Sequence, residues 1–191
     1  ESLKNQTDPA QSNSADHQQK EQTLSGASKD FNIIVVDNNS DDVGKLMDYR
    51  TSETNIIYIK NDKNLGYSGG NNTGIRQALI NGGDWMLLLN NDTWVENDFV
   101  SCLKVNLNAR EGILGLATDE GPSTGSEQAR TVYAGKIQWL KPTLSHCTTW
   151  RVIQGYAIGG AMAIHKDVFD KVGFLDERYF LYFEDADYSI R

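Results

Sequence analysis

Three short segments bearing carboxylates, and one glycine-rich loop, hold the residues of this chain best equipped for chemistry. Asn90, Asn91 and Asp92 follow directly on the apolar run 85–89, WMLLL. A carboxylate flanked by amide oxygens suits a hard cation such as Mg2+ or Mn2+, which takes oxygen ligands; the same residue types also form plain turns. Asp37, Asn38, Asn39 and Ser40 end a second apolar run in the same manner, and Asp37 alone reads as the start of an Asx turn. In residues 64–74, NLGYSGGNNTG, the glycines Gly66, Gly69, Gly70 and Gly74 surround the start of a helix. Small residues there admit a ligand close to the backbone, or simply leave a helix start with spare glycine. The spacing is neither GxGxxG nor GxxxxGK[ST], which counts against a dinucleotide fingerprint or a P-loop. Glu184, Asp185 and Asp187 form the third acidic segment, and carboxylates at a helix start are favoured by the helix dipole alone.

The bulk properties narrow the classes of partner. With 191 residues the chain fits one domain with a substantial core. A net charge of -8 argues against nucleic acid or an anionic membrane as the default partner, because phosphate backbones are met by Lys and Arg. Any phosphate must therefore be met locally, for instance through a cation. Cys102 and Cys147 are too few for a disulfide framework and point to a reducing cytosol. His146, Cys147 and His165 are too scattered for a zinc site. No run reaches the ~18 apolar residues of a membrane span, and no signal segment opens the sequence.

These residues have to be placed by strands and helices. Residues 1–30 contain no aromatic residue and no Ile, Val or Met, so they are expected to be a flexible polar segment. Residues 31–191 read as the folded domain. Strands are expected at 31–36, 55–60, 85–89, 113–118, 131–140 and 150–164, the last interrupted by Gly155, Gly159 and Gly160. Helices are expected from Asp41-Asp42, over 66–79, from 96 to 107 and over 166–172. The alternation implies an α/β protein with a Rossmann-like, mostly parallel sheet covered by helices on both faces. Tyr179, Phe180, Tyr182 and Phe183 read first as core, with stacking on a sugar ring as the alternative.

Four segments, VVDNNSDD (35–42), NLGYSGGNNTGIRQAL (64–79), LLLNNDTWV (87–95) and GGAMAIHKDVFDKVGFLDERYFLYFEDADYSIR (159–191), occur in an order that resembles the inverting family 2 glycosyltransferases of GT-A fold. Within that family the likeness is to rhamnosyltransferase-like enzymes of cell-envelope polysaccharide biosynthesis, and it covers residues 31–191. The resemblance implies a nucleotide-sugar donor carrying UDP or dTDP, a glycan or lipid-linked acceptor, a Mg2+ or Mn2+ cofactor and no nucleic acid. It also implies a cytoplasmic protein associated peripherally with the inner face of the membrane.

By the same resemblance, Asp37 and Asn39 meet the base or ribose, and Asn64, Gly66, Gly69, Gly70 and Asn71 form the nucleotide-side loop. Asn91 and Asp92 fall in the DxD-like motif. Its first position is the uncharged Asn90, so metal binding rests on Asp92. Gly159 and Gly160 form the floor between donor sugar and acceptor. Asp185 takes the role of general base, with Glu184 second to it and Asp187 structural. A nucleotidyltransferase and a non-catalytic sugar-nucleotide-binding domain, or inactive fragment, remain alternatives. Relative to the family the domain reads as truncated, lacking the apolar strand that sits between the equivalents of residues 31–36 and 85–89. Those two strands are then expected to share no ladder and to lie roughly 9–10 Å apart, two strand spacings.

Overall fold

The computed structural model describes residues 31–41, 56–107, 112–120, 130–138, 143–148 and 155–191. β1 (Ile33–Asp37) and β2 (Ile56–Lys60) pair as a two-stranded sheet. They are followed by α1 (Gly66–Ile80), β3 (Trp85–Leu89), α2 (Phe99–Leu107), β4 (Ile113–Gly115), β5 (Thr118–Glu120), β6 (Arg130–Val132), β7 (Ala134–Gln138) and β8 (Thr143–Cys147). The remaining elements are β9 (Gly155–Tyr156), β10 (Ala161–His165), α3 (Lys166–Val172) and α4 (Glu184–Ile190). The site described below lies in one compact unit, Ile34–Asp42 with Tyr58–Arg191.

The central sheet has the order β3-β10-β4, with β10 antiparallel to both neighbours: Ala163 faces Leu87 on one side and Leu114 on the other. This corrects the expectation of a mostly parallel sheet. β3 and β4, linked through α2, do run parallel to each other, but the space between them is filled by a strand arriving much later in the chain. Its run Ala161–Ile164 is apolar at every position and buried throughout, which suits a strand covered on both faces. The other described ladders with a printed register, β5 with β6 and β7 with β8 and β9, are antiparallel as well. Among the described residues no ladder joins β1 to β3.

Several element boundaries also differ from expectation. The segment 113–118 divides into β4 and β5, and 131–140 divides into β6 and β7 around Tyr133. Of 150–164, the described part is β9 and β10, separated by a turn at Gly159-Gly160. β8 was not anticipated. The expected polar segment 1–30 and most of the helix begun by Asp41-Asp42 lie outside the described residues.

The core joins Ile75 of α1, Met86 and Leu88 of β3, Met162 and Ile164 of β10, Val168 and Phe169 of α3, Leu175, and Tyr188 of α4. Each such burial contributes about 1.5–3 kcal/mol. α1 comes close to β1 because Gly74 has no side chain; a Cβ there would stand 3.2 Å from Val36 Cγ2. Among the described residues no helix is long and apolar enough to cross a membrane.

Candidate active site

Asp37 ends β1 and is buried. Its Oδ1 accepts the Ser40 amide at 2.8 Å, closing the turn its residue type foreshadows, and its Oδ2 accepts the Tyr58 hydroxyl at 2.8 Å. The hydrogen bonds from Ser40, and then that from Tyr58, hold the carboxyl below the usual carboxylate range because they favour the charged form. Asp37 is thus a fixed anion, and each oxygen keeps a second lone-pair site for a ligand.

Asn38 ties the end of β1 to the glycine-rich loop. Its Nδ2 donates to Asn64 Oδ1 at 3.0 Å and to the Gly66 carbonyl at 2.9 Å, while its Oδ1 accepts from Asn61 Nδ2 at 3.1 Å and from the Leu65 amide at 3.0 Å. Asn64 Oδ1 also accepts the Gly66 amide at 2.9 Å. The loop and the start of α1 are therefore built on a side chain that sequence reasoning passed over in favour of Asn39. Asn39 stays exposed in a left-handed conformation, φ +67°, which Asn tolerates. Asn71, another expected loop residue, donates from Nδ2 to the Tyr67 carbonyl one turn back.

Glycine is required at two places in this loop. Gly66 adopts φ +70°, and a Cβ there would lie 2.3 Å from the Phe180 carbonyl oxygen. At Gly69 a Cβ would lie 2.6 Å from Leu65 Cβ. The loop glycines thus serve packing within the protein, whatever else they admit.

The Gly159-Gly160 turn brings the other segments together. Asn90, at the end of β3, donates its amide to the Gly160 carbonyl at 3.1 Å. Gly159 donates its amide to Asp185 Oδ2 at 3.0 Å, and its carbonyl accepts the Tyr67 hydroxyl. Asp185 Oδ1 accepts the Ala186 amide at 2.7 Å, which fixes the carboxylate while leaving lone pairs unused. Tyr67 also donates its amide to the Phe180 carbonyl at 2.7 Å. Burial, followed by the charges of Glu184 and Asp185, raises the Tyr67 pKa well above the ordinary phenol range. Burial with Asp185 as the next cause pushes Tyr156 up to about 12, so both phenols remain protonated donors near the two carboxylates.

Glu184 differs from its neighbour. It is buried, and its Oε2 finds no hydrogen-bond partner among the described residues. Burial, with a smaller contribution from the Asp185 charge, raises its pKa. A solvated acidic helix start would leave this residue exposed. The aromatic run before it reverses another expectation: Phe180, Tyr182 and Phe183 are 57%, 69% and 51% exposed, so they are not core. Tyr182 and Phe183 both take left-handed backbone conformations, φ +71° and +70°, a rare pairing for bulky residues.

Asn91 and Asp92 stand exposed on the turn after β3. Among the described residues no three His, Cys, Asp or Glu side chains are grouped to hold a metal ion by themselves. The donor set nevertheless fits Mg2+ or Mn2+ shared with a phosphorylated ligand, since such ions commonly take one or two carboxylates and complete their shell with phosphate oxygens and water.

Tyr67 and Tyr156 were not foreseen as site residues. For Tyr67 a signal existed in the sequence, a single aromatic among the small residues of GYSGG; for Tyr156 the two-residue strand offered none.

The family model described as Glycosyl transferase family 2 matches residues 17–173 of the chain. That range takes in Asp37, the glycine-rich loop, Asp92 and the Gly159-Gly160 turn, while Glu184 and Asp185 lie beyond it. The chain is also 30% identical over 174 residues to the low-salt glycan biosynthesis hexosyltransferase Agl10 of Haloferax volcanii, covering 83% of this chain and 52% of that protein. It therefore spans about half the length of the curated relative it matches.

Proposed function

This chain belongs to glycosyl transferase family 2 and has the GT-A, α/β fold of that family, and on that premise we propose that it transfers a sugar, with inversion, from a nucleoside-diphosphate donor to a hydroxyl of a glycan or lipid-linked acceptor. One observation carries this reading. The paired glycines Gly159 and Gly160 hold the Asp185 carboxylate on one side and seat the end of β3, which leads into Asp92, on the other. A base and a diphosphate-binding turn have to be this close for one sugar to meet both.

In the proposed reaction the acceptor oxygen attacks the anomeric carbon from the face opposite the diphosphate. The new oxygen–carbon bond forms as the carbon–phosphate-oxygen bond breaks, and Asp185 takes the hydroxyl proton. Asp37, a fixed anion beside Tyr58, faces the base or ribose, and the backbone from Gly66 to Gly70 lines the nucleotide. Asp92, with Asn91 next to it, would hold Mg2+ or Mn2+, whose Lewis acidity stabilises the departing diphosphate. Glu184, whose pKa is raised by burial and whose side chain is not tied to the Gly159 turn as that of Asp185 is, is the second candidate for the base. UDP or dTDP as carrier, rhamnose as sugar, a cell-envelope glycan as product and action at the inner face of the membrane follow from the resemblance of the motifs.

The test is a panel of UDP- and dTDP-hexoses and dTDP-rhamnose incubated with the whole protein and Mn2+, following nucleoside diphosphate release. Asp185→Asn is expected to lower turnover by about 10²–10⁴-fold with nucleotide affinity within about twofold of the original. Asp92→Ala is expected to weaken Mn2+-dependent nucleotide binding. Nucleotide binding without turnover of any donor would establish the non-catalytic alternative.

A further inference from the structure

Tyr67 occupies an unusual position for a residue of a glycine-rich loop. It is the second residue of α1, on the side assigned to the nucleotide, yet both of its hydrogen-bond donors reach across to the side assigned to the acceptor. Its amide donates to the Phe180 carbonyl in the aromatic segment that leads into α4, and its hydroxyl donates to the Gly159 carbonyl. Gly159 in turn donates its own amide to Asp185 Oδ2. The space between these groups is closed: a Cβ at Gly159 would stand 3.1 Å from the Tyr67 hydroxyl and 3.3 Å from Asp185 Cβ. A side chain at this position would press on both the phenol and Asp185, and one of them would have to give way by a few tenths of an ångström.

From this arrangement we infer that Tyr67 is a positioning residue, which sets the orientation of the Asp185 carboxylate by anchoring Gly159 from the donor side of the site. The hydroxyl fixes the carbonyl of Gly159, the fixed residue aims its N–H, and the N–H selects one orientation of the carboxylate. The phenol is suited to this because burial and the nearby carboxylates keep it protonated, so it acts as a donor throughout the working pH range. The same side chain links the loop that lines the nucleotide to the group that takes the acceptor proton, so that a displaced loop also misaligns the base. This inference rests on the assignment of Asp185 as base.

Tyr67→Phe removes the single oxygen that reaches Gly159 and keeps the ring. In the whole protein with Mn2+, using whichever donor of the panel is hydrolysed, kcat is expected to fall roughly tenfold, the scale of a modest misalignment, while the donor KM and the melting temperature stay nearly unchanged. A purely structural role would lower the melting temperature instead. In an Asp185→Glu background, where the carboxylate is already displaced by one methylene, the same substitution is expected to cost less than about twofold, because effects acting through one group do not add. Equal losses in both backgrounds, or an unchanged kcat for Tyr67→Phe, would overturn the inference. Gly159→Ala gives an independent arm should Tyr67→Phe fold poorly: its methyl group enters the gap between the two side chains, so a normal kcat there overturns the inference as well. The two levels separate cleanly. Full activity in Asp185→Asn removes the base assignment itself, whereas an inactive Asp185→Asn beside a normal Tyr67→Phe removes the positioning role alone.

Discussion

Asp37 and Glu184 are both buried carboxylic acids in one compact unit, and their surroundings act on them in opposite directions. Asp37 receives the Ser40 amide and the Tyr58 hydroxyl and is held below the usual carboxylate range. Glu184 keeps an unpartnered Oε2 and is pushed above that range by burial. The same contrast extends to what lies around them. The end of β1 is joined to its loop by four hydrogen bonds of Asn38, whereas Glu184 follows two consecutive aromatic residues in left-handed conformations. The end of β1 is thus joined to its loop by a complete set of hydrogen bonds, whereas the start of α4 retains an unmet polar atom and unfavourable backbone geometry. Such features cost stability and persist where the surrounding fold enforces them, often at sites of binding or catalysis.

The largest effect on this contrast is expected from Gly66→Ala, which damages both sides at once. The new methyl group would meet the Phe180 carbonyl at 2.3 Å in a backbone conformation that disfavours any side chain. A loss of about 3 kcal/mol or more is expected in denaturant unfolding, together with loss of nucleotide binding. Normal stability would mean that the loop and the aromatic segment are not packed as described.

Asn38→Ala tests the end of β1 and its loop alone. It leaves partners in the loop unsatisfied but partly accessible to water, so a cost of about 2 kcal/mol is expected, with weaker nucleotide binding and with the environment of Asp185 unchanged. Equal damage around Asp185 would show that the two regions are not separately built.

The smallest and most discriminating effect concerns pH. Because its folded pKa is depressed, Asp37 stabilises the protein above the ordinary carboxylate pKa of about 3.9, and that contribution is lost as pH falls toward the folded value. Asp37→Asn should therefore be destabilised at pH 7, with the gap to the original protein closing below about pH 4. Glu184 has the opposite sign. Its ionisation is resisted in the fold, so stability falls as pH rises from about 4.3 to the raised folded value and stays lower above it. Glu184→Gln should melt at a slightly higher temperature than the original at pH 7 and at the same temperature below about pH 4. Parallel pH profiles for the two variants would remove the distinction between the carboxylates.

How much of this was legible beforehand depends on whether a feature is local. The apolar run 85–89 and the segment 166–172 became β3 and α3 with no change of boundary, because an unbroken apolar run or a helix closed by glycine is specified by neighbouring residues. The order of the motifs identified the family for the same reason. The Asx turn at Asp37 was legible because a carboxylate after an apolar strand is a local pattern, but the second partner of that carboxylate, Tyr58, lies 21 residues away.

What only the tertiary structure decided is which distant segments share a place. The sequence cannot state that β10 enters between β3 and β4, since its apolar run satisfies a parallel or an antiparallel neighbour equally well. Nor can it state that Glu184 is buried while Asp185, one residue on, is held by Gly159, or that the aromatic run 179–183 is largely turned to solvent. These outcomes depend on packing and hydrogen bonds between distant segments, such as that between Tyr67 and Gly159, 92 residues apart. Residue types and local spacing determine what each group is able to do, and the fold determines which groups are close enough to do it together.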